Sequence, residues 1–333
     1  MILLLAGLAA ALDHHVVRPG ETVVRIANRR QVDVVALRTL NGLAPDQEPV
    51  AGTVLRLPGG VDEGAPAATV IALWGSGTVT PTGLPAEGLA LGAELPADAL
   101  VCTGPGGFAT LRLVTVKRTR AHDEITLLGG TCLTLDETWA DPDDHASVVS
   151  VRRGSVSVRA SDGGSGAVTV RTEAGISTSD TGGFRVTVEE QGAARTEAID
   201  GEVSVLGGGK EVELAAGSGT RVRKGEAPAA PVDLLEPGLP REPADGAPLR
   251  RPDFRWTTVE RALGYRIEIS TSPTFEDIVY AEDVGAPPWR PETLFLPARV
   301  TELWWRISSF DRTGFVGPAS PPRRVALPPG VGP

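Results

Sequence analysis

Histidine, cysteine and clustered carboxylates are the residues in this chain that could do chemistry, and they are few. The four histidines are His14, His15, His122 and His145. None sits in an HExxH or HxxxD pattern, and no G-x-S-x-G elbow is present. His122-Asp123-Glu124 offers acid and base groups but no nucleophile near them in sequence. Asp141-Pro142-Asp143-Asp144-His145 is rich in oxygen donors that suit a hard cation. It lacks EF-hand ligand spacing and a closing Glu, and reads as a polar turn. Gly207-Gly208-Gly209-Lys210 shares only composition with a phosphate loop; no Ser/Thr and no helix follow, so it reads as a hairpin turn. The expectation is no catalytic residue, no metal centre, no cofactor and no enzyme. Cys102 and Cys132 either form a disulfide or are two separate buried thiols. A bridge would close a loop of about 30 residues, worth about 3–4 kcal/mol in the chain-entropy model.

The elements that would position such groups come from a chain of 333 residues with 40 Gly and 28 Pro. That content disfavours long helices and favours turn-rich β structure. The net charge of −10 argues against a nucleic-acid binder, which needs a basic face. Residues 59–234 carry 14 basic and 24 acidic side chains, whereas 14–58 carry 6 and 4. The acidic excess of the middle reads as a solvated β surface. Met1 to Leu12 is too short an apolar run to span a bilayer. Its length suits the apolar core of a secretory signal, with Ala9-Ala10-Ala11 as a small-residue cleavage site. Residues 1–12 are thus expected to direct export to the periplasm or cell envelope, with no stable membrane span in the rest.

Residues 13–58 read as strand, helix, helix, strand. His15 to Arg18 is a short strand stopped by Pro19-Gly20. Glu21-Thr22 offers a helix cap, and Val23, Ile26 and Ala27 recur at helical spacing. Asp33 starts a second helix with Val34, Leu37 and Leu40 on one face and Gly42 as its stop. Thr53 to Leu57 is the closing strand. With Val17, Pro19-Gly20-Glu21-Thr22, Leu40-Asn41-Gly42-Leu43 and Gly52-x-x-Leu55-x-Leu57-Pro58 in order, this unit resembles a LysM domain. The resemblance implies binding of peptidoglycan or a related N-acetylglucosamine glycan, in a shallow groove between two loops. Those loops are here Gly20, Glu21, Thr22 and Val23, and Leu43, Ala44, Pro45 and Asp46.

After a linker at 59–68, residues 69–227 are short alternating runs broken by Gly, the grammar of an all-β sandwich, barrel or β-roll. Gly88 to Leu95, then Val101-Cys102-Thr103-Gly104-x-x-Gly107-Phe108-Ala109-Thr110-Leu111-Arg112-Leu113, resemble the FecR domain family, as do Ile199-Asp200-Gly201-Glu202-Val203-Ser204-Val205 and Leu214 to Thr220. The namesake of that family relays a transport signal to a sigma-factor system through a cytoplasmic tail and a membrane helix; the resemblance here implies a periplasmic β-scaffold more than a sigma regulator. A Pro/Ala-rich linker at 228–248 leads to residues 249–328. There Pro252-x-Phe254-x-Trp256, Gly264 to Ser270 and Leu303-Trp304-Trp305-Arg306-Ile307 resemble a fibronectin type III-like sandwich. Trp256 and Tyr265 are expected in its core. Adjacent Trp304 and Trp305 must face opposite sides of a strand, and Trp289 is expected at an edge.

The fold class expected is multidomain and mainly β: a LysM-like βααβ unit, a FecR-like β unit and an Ig/fibronectin-like sandwich. The function expected is a non-catalytic envelope protein that binds peptidoglycan and presents its β units to an envelope protein partner. The alternative is a periplasmic sensor of FecR type.

Overall fold

In a computed structural model, the structure describes residues 13–18, 21–29, 32–57, 66–113, 122–138, 146–161, 167–249, 251–291 and 300–327. The signal-like segment 1–12 and the cluster Asp141-Pro142-Asp143-Asp144-His145 lie outside the described residues. The protein is mainly β, with 51% strand and 5% helix, as its alternating pattern requires. It divides into two compact units, Met1–Pro66 and Ala67–Pro333.

In the first unit, β1 (Asp13–Val16), α1 (Val23–Arg29), α2 (Val34–Leu40) and β2 (Val54–Leu57) follow one another. β1 and β2 pair antiparallel, with His15 opposite Leu55. Each helix has only seven residues and starts on a side-chain cap. The Thr22 hydroxyl accepts the Arg25 N–H at 3.2 Å, and Asp33 accepts the Ala36 N–H at 2.8 Å. Helices this short hold only through their packed faces. Val23, Ile26, Ala27 and Leu37 are fully buried with Leu55 and Leu57 of β2. Asn41 ends α2 and fastens it to β2: its side-chain amide donates to the carbonyls of Leu37 and Arg56 and accepts the Arg56 N–H at 2.5 Å.

The second unit begins with two β-sheets. The first sheet runs through Glu87–Gly88, Gly77–Thr80, Leu100–Thr103, Cys132–Thr138, the front of Ala146–Ala160, Ala167–Arg171, Ile176–Ser179, Val203–Gly207 and Lys210–Leu214. The second runs through Pro66–Trp74, Phe108–Leu113, Glu124–Leu127, the rear of Ala146–Ala160, Gly182–Val188, Ala194–Asp200, Ser218–Val222 and Val232–Asp233. Inward residues of both, among them Val101, Leu111, Leu127, Leu133, Phe184 and Val205, form one apolar core.

Arg152-Arg153-Gly154 reads in sequence as a break between two strands. Instead, Ala146–Ala160 is one strand of 15 residues that belongs to both sheets. Gly154 is the corner. Its φ is +85°, and a Cβ there would stand 2.6 Å from the Thr131 Cα. Only glycine lets the chain turn so close to a neighbouring backbone. Cys102 and Cys132 are directly opposed on adjacent strands of the first sheet and are joined by a disulfide, with Cα atoms 4.2 Å apart.

Residues 247–327 build a further sheet in the order Ala247–Pro248, Arg323–Ala326, Glu302–Phe310, Gly264–Ser270, Ile278–Val284, with Val316–Ala319 also on Glu302–Phe310. Segment 228–248 is pinned on both sides. Val232–Asp233 pairs with Ser218–Gly219, and Ala247–Pro248 with Val325–Ala326. Phe254, Trp256, Tyr265, Ile267 and Trp305 fill the core of this part. The Tyr265 hydroxyl accepts the Val259 N–H at 2.7 Å. Trp305 is fully buried and Trp304 half-buried, the opposition that strand alternation demands. Trp289 is half-buried, its ring 5.5 Å from both Phe254 and Tyr280.

The outward face of the second sheet is not left to water. Residues 249–327 pack on it. An apolar cluster of Phe108, Leu128, Phe275 and Ile278, with Trp74 and Trp304 against it, closes one end. At the other, Phe315 lies beneath the guanidinium groups of Arg195 and Arg221, at 5.7 and 5.5 Å. Between them lie buried charges. Glu197 accepts from Arg195 at 2.9 Å and from the Val316 N–H at 3.3 Å. Burial pushes its carboxyl above the ordinary carboxylate range, against the pull of Arg185 and Arg195. Glu268 accepts from Arg306 at 2.6 Å. There burial raises, but Arg306 and Arg185 together outweigh it and hold the carboxyl below its ordinary value.

Candidate functional site: two loops joined through Glu48

The loops expected to form the glycan groove come from distant stretches of the first unit, and the structure joins them through one carboxylate. Glu48 accepts the Val23 N–H, at the start of α1, through Oε2 at 2.6 Å. Its Oε1 accepts from the Arg38 guanidinium at 2.8 Å. Arg38, in the last turn of α2, also donates to the carbonyls of Ala44 (2.9 Å) and Gln47. A carboxylate at a helix start and a guanidinium at a helix end each sit where the helix dipole favours them. One ion pair thus sets the second loop against the first helix.

The expected residues fall into three groups. Gly20, with Pro19, lies outside the described residues. Glu21 and Val23 are buried. The Glu21 carboxylate lies 2.7 Å from His15 Nε2 and accepts the Arg18 N–H at 2.8 Å. Its charge is therefore spent on holding the loop after β1. Val23 gives its side chain to the core and its N–H to Glu48. The remaining residues face outward. Thr22, Ala44, Pro45 and Asp46 are exposed, and Leu43 is half-buried. Leu43 donates its N–H to the Arg38 carbonyl at 3.0 Å, and Ala44 its N–H to Gln47 Oε1 at 3.2 Å. Val24, next to the cap on α1, is 46% exposed.

The surface so formed has a hydroxyl, loop carbonyls, small apolar side chains and the exposed Asp46 carboxylate, with the Arg38–Glu48 and His15–Glu21 pairs in the frame behind. That suits a neutral, polar ligand bearing a small apolar group, such as an acetamide. Among its described residues it offers no nucleophile with a base in reach. Among the described residues no group of three His, Cys, Asp or Glu side chains is placed to hold a metal ion. Arg38 and Glu48 are the residues that sequence reasoning missed as site-formers. The signal available was a lone Arg in the last turn of a short helix, ten residues before the Glu of an acidic loop.

Residues 15–58 match the LysM domain family, so a LysM domain is present at the N-terminus. LysM is a binding module, not a catalytic one, and implies a peptidoglycan or N-acetylglucosamine glycan as ligand. LysM domains occur in extracellular and envelope proteins. No curated protein matches the chain. Among solved structures, two crystal structures of a protein from Parabacteroides distasonis assigned as an anti-sigma factor, at 1.65 and 2.50 Å resolution, are similar. Each has 16% identity and a TM-score of 0.33, covering 40% of this chain and 59% of that one. A likeness of that degree carries neither fold nor function across. Among the described residues no helix is long and apolar enough to cross a membrane.

Proposed function

We propose that this is a non-catalytic protein of the periplasm or cell envelope that holds N-acetylglucosamine glycan of the peptidoglycan type at the surface formed by Thr22, Val24 and Leu43 to Asp46. The observation that carries the reading is the LysM match over residues 15–58. The joined loops support it, because a preset groove need not be ordered when sugar binds. The FecR-like stretch 69–227 and the fibronectin-like stretch 249–328 then present β surfaces to an envelope partner. The disulfide at Cys102–Cys132 suits an oxidising compartment.

Titration of the protein with a soluble N-acetylglucosamine tetramer, followed by amide chemical shifts, tests the reading. Shifts concentrated at Thr22–Val24 and Leu43–Asp46 are expected. Shifts elsewhere, or none up to millimolar sugar, would overturn it. The sensor alternative rests on the FecR resemblance of residues 69–227 alone. It calls for a membrane-bound regulator that co-purifies with those residues when residues 15–58 are deleted.

A further inference from the structure

Between its aromatic ends, the contact of residues 249–327 with the second sheet leaves a cleft of about 480 Å³. That volume is within the range of small-ligand sites, and junctions between packed parts are where such sites gather. Its floor is the outward face of the sheet, including Ser157, Arg159 and Arg185. Its roof holds Glu268, Phe275 and Arg306, with Glu124, Glu276 and Asp200 also on the lining.

The charges in the cleft are not equally committed. Arg306 is stacked on Phe275 at 4.0 Å and paired with Glu268. Arg159 lies between Glu124 and Glu276, at 3.5 and 3.6 Å, and donates to the Thr274 carbonyl at 2.8 Å. Arg185 is different. It is 5% exposed and lies in the field of Glu197 and Glu268, yet among the described residues its one hydrogen bond is a long 3.5 Å one to the Val316 carbonyl and its buried Nε–H has no acceptor. A buried guanidinium with an unused donor is costly unless something accepts from it. Glu124 and Glu276, both on the lining, share the single guanidinium of Arg159, so a cation on the same ligand gives the two carboxylates a second partner. Phe275, Ile278 and Leu128 on the lining supply apolar wall for an uncharged portion.

We propose that this cleft binds a short zwitterionic peptide, its terminal carboxylate accepting from Arg185 and its terminal ammonium held by Glu124 and Glu276. The cleft lies wholly within residues 122–319, so the inference stands apart from the glycan reading.

Equilibrium titration of the full chain with the tripeptide Ala-Ala-Ala tests it, beside the same peptide amidated at its C-terminus and acetylated at its N-terminus. The free peptide binds, and amidation weakens it by about tenfold or more, the scale of one charge-assisted hydrogen bond. Acetylation weakens it by a smaller factor, because the carboxylates are more exposed. Arg185→Met abolishes binding. Should that variant not fold, Ser157→Trp fills the floor without removing a charge and also abolishes binding. Leu43→Trp, in the first unit, leaves peptide affinity unchanged. Equal binding of all three peptides, no binding of any, or full binding by Ser157→Trp would overturn the proposal.

Discussion

The two units of this protein use charged side chains in opposite ways. In residues 13–57 Asp33, Arg38 and Glu48 all act within 25 residues of themselves. Asp33 caps the helix that begins at the next residue, Arg38 closes a loop six to ten residues on, and Glu48 reaches 25 residues back to Val23. In residues 67–327 the charges meet across the chain. Glu197 touches Val316, Arg221 reaches the Thr313 carbonyl and Arg159 the Thr274 carbonyl. The first pattern is a scaffold of caps around a small site. The second is an interface, where removing one charge leaves its partner buried and alone.

That difference fixes the expected size of mutational effects. The largest belongs to the corner that brings the two sheets together. Gly154→Ala places a Cβ 2.6 Å from the Thr131 Cα at a left-handed φ, and should destabilise residues 67–327 by about 3 kcal/mol or more in a denaturant melt. Glu268→Gln comes next. It strands Arg306 and Arg185 in the interface and should cost about 3 kcal/mol at neutral pH. Because the native carboxyl lies below its ordinary value, its contribution is present above that value and lost as pH falls. The deficit of the variant should therefore shrink in acid.

Glu197→Gln sharpens the contrast by reversing the sign. Its carboxyl is raised in the fold, so its contribution is present below the ordinary value of 4.5 and is lost as pH climbs through the raised value. Gln keeps an acceptor for Arg195 and the Val316 N–H but carries no charge. The melting temperature of the variant should fall less than that of wild type as pH is raised from 4.5 toward neutrality. A parallel fall would remove Glu197 from the account. The smallest effects are expected in the first unit. Glu48→Ala should cost about 1–2 kcal/mol and raise amide exchange at Val23. Asp33→Ala should cost about 1 kcal/mol and fray α2. Neither should change exchange in the β-sheets.

Sequence range also explains what could be read in advance. Thr22, Asp33 and Gly42 mark helix ends by their own chemistry, so the order of elements in the first unit was legible. Tyr265, Ile267 and Ile269, and Leu303, Trp305 and Ile307, alternate along their strands, so those strands were legible too, and the opposition of Trp304 and Trp305 followed from the pleat. The long strand was not, because Arg152-Arg153-Gly154 breaks the period-2 pattern as a turn would. The covered charges of the second sheet were not legible for a different reason. Glu124, Arg159, Arg185, Glu197 and Arg221 alternate with core residues as solvent-facing side chains do. Nothing local records that segments near residues 275 and 315 will pack over this face. In the site, Gly20 to Val23 and Leu43 to Asp46 were read as the two loops of the groove; Thr22 and Leu43 to Asp46 do reach the surface, but Glu21 and Val23 are buried, and the pair that joins the loops, Arg38 and Glu48, carried only a weak helix-end signal.

Co-sedimentation with insoluble peptidoglycan sacculi tests the central claim most directly, comparing wild type, a deletion of residues 14–58 and Leu43→Trp, which fills the proposed groove. The account predicts that wild type sediments with the sacculi and that both variants remain in the supernatant. Wild type in the supernatant, or a deletion that sediments equally well, would contradict it.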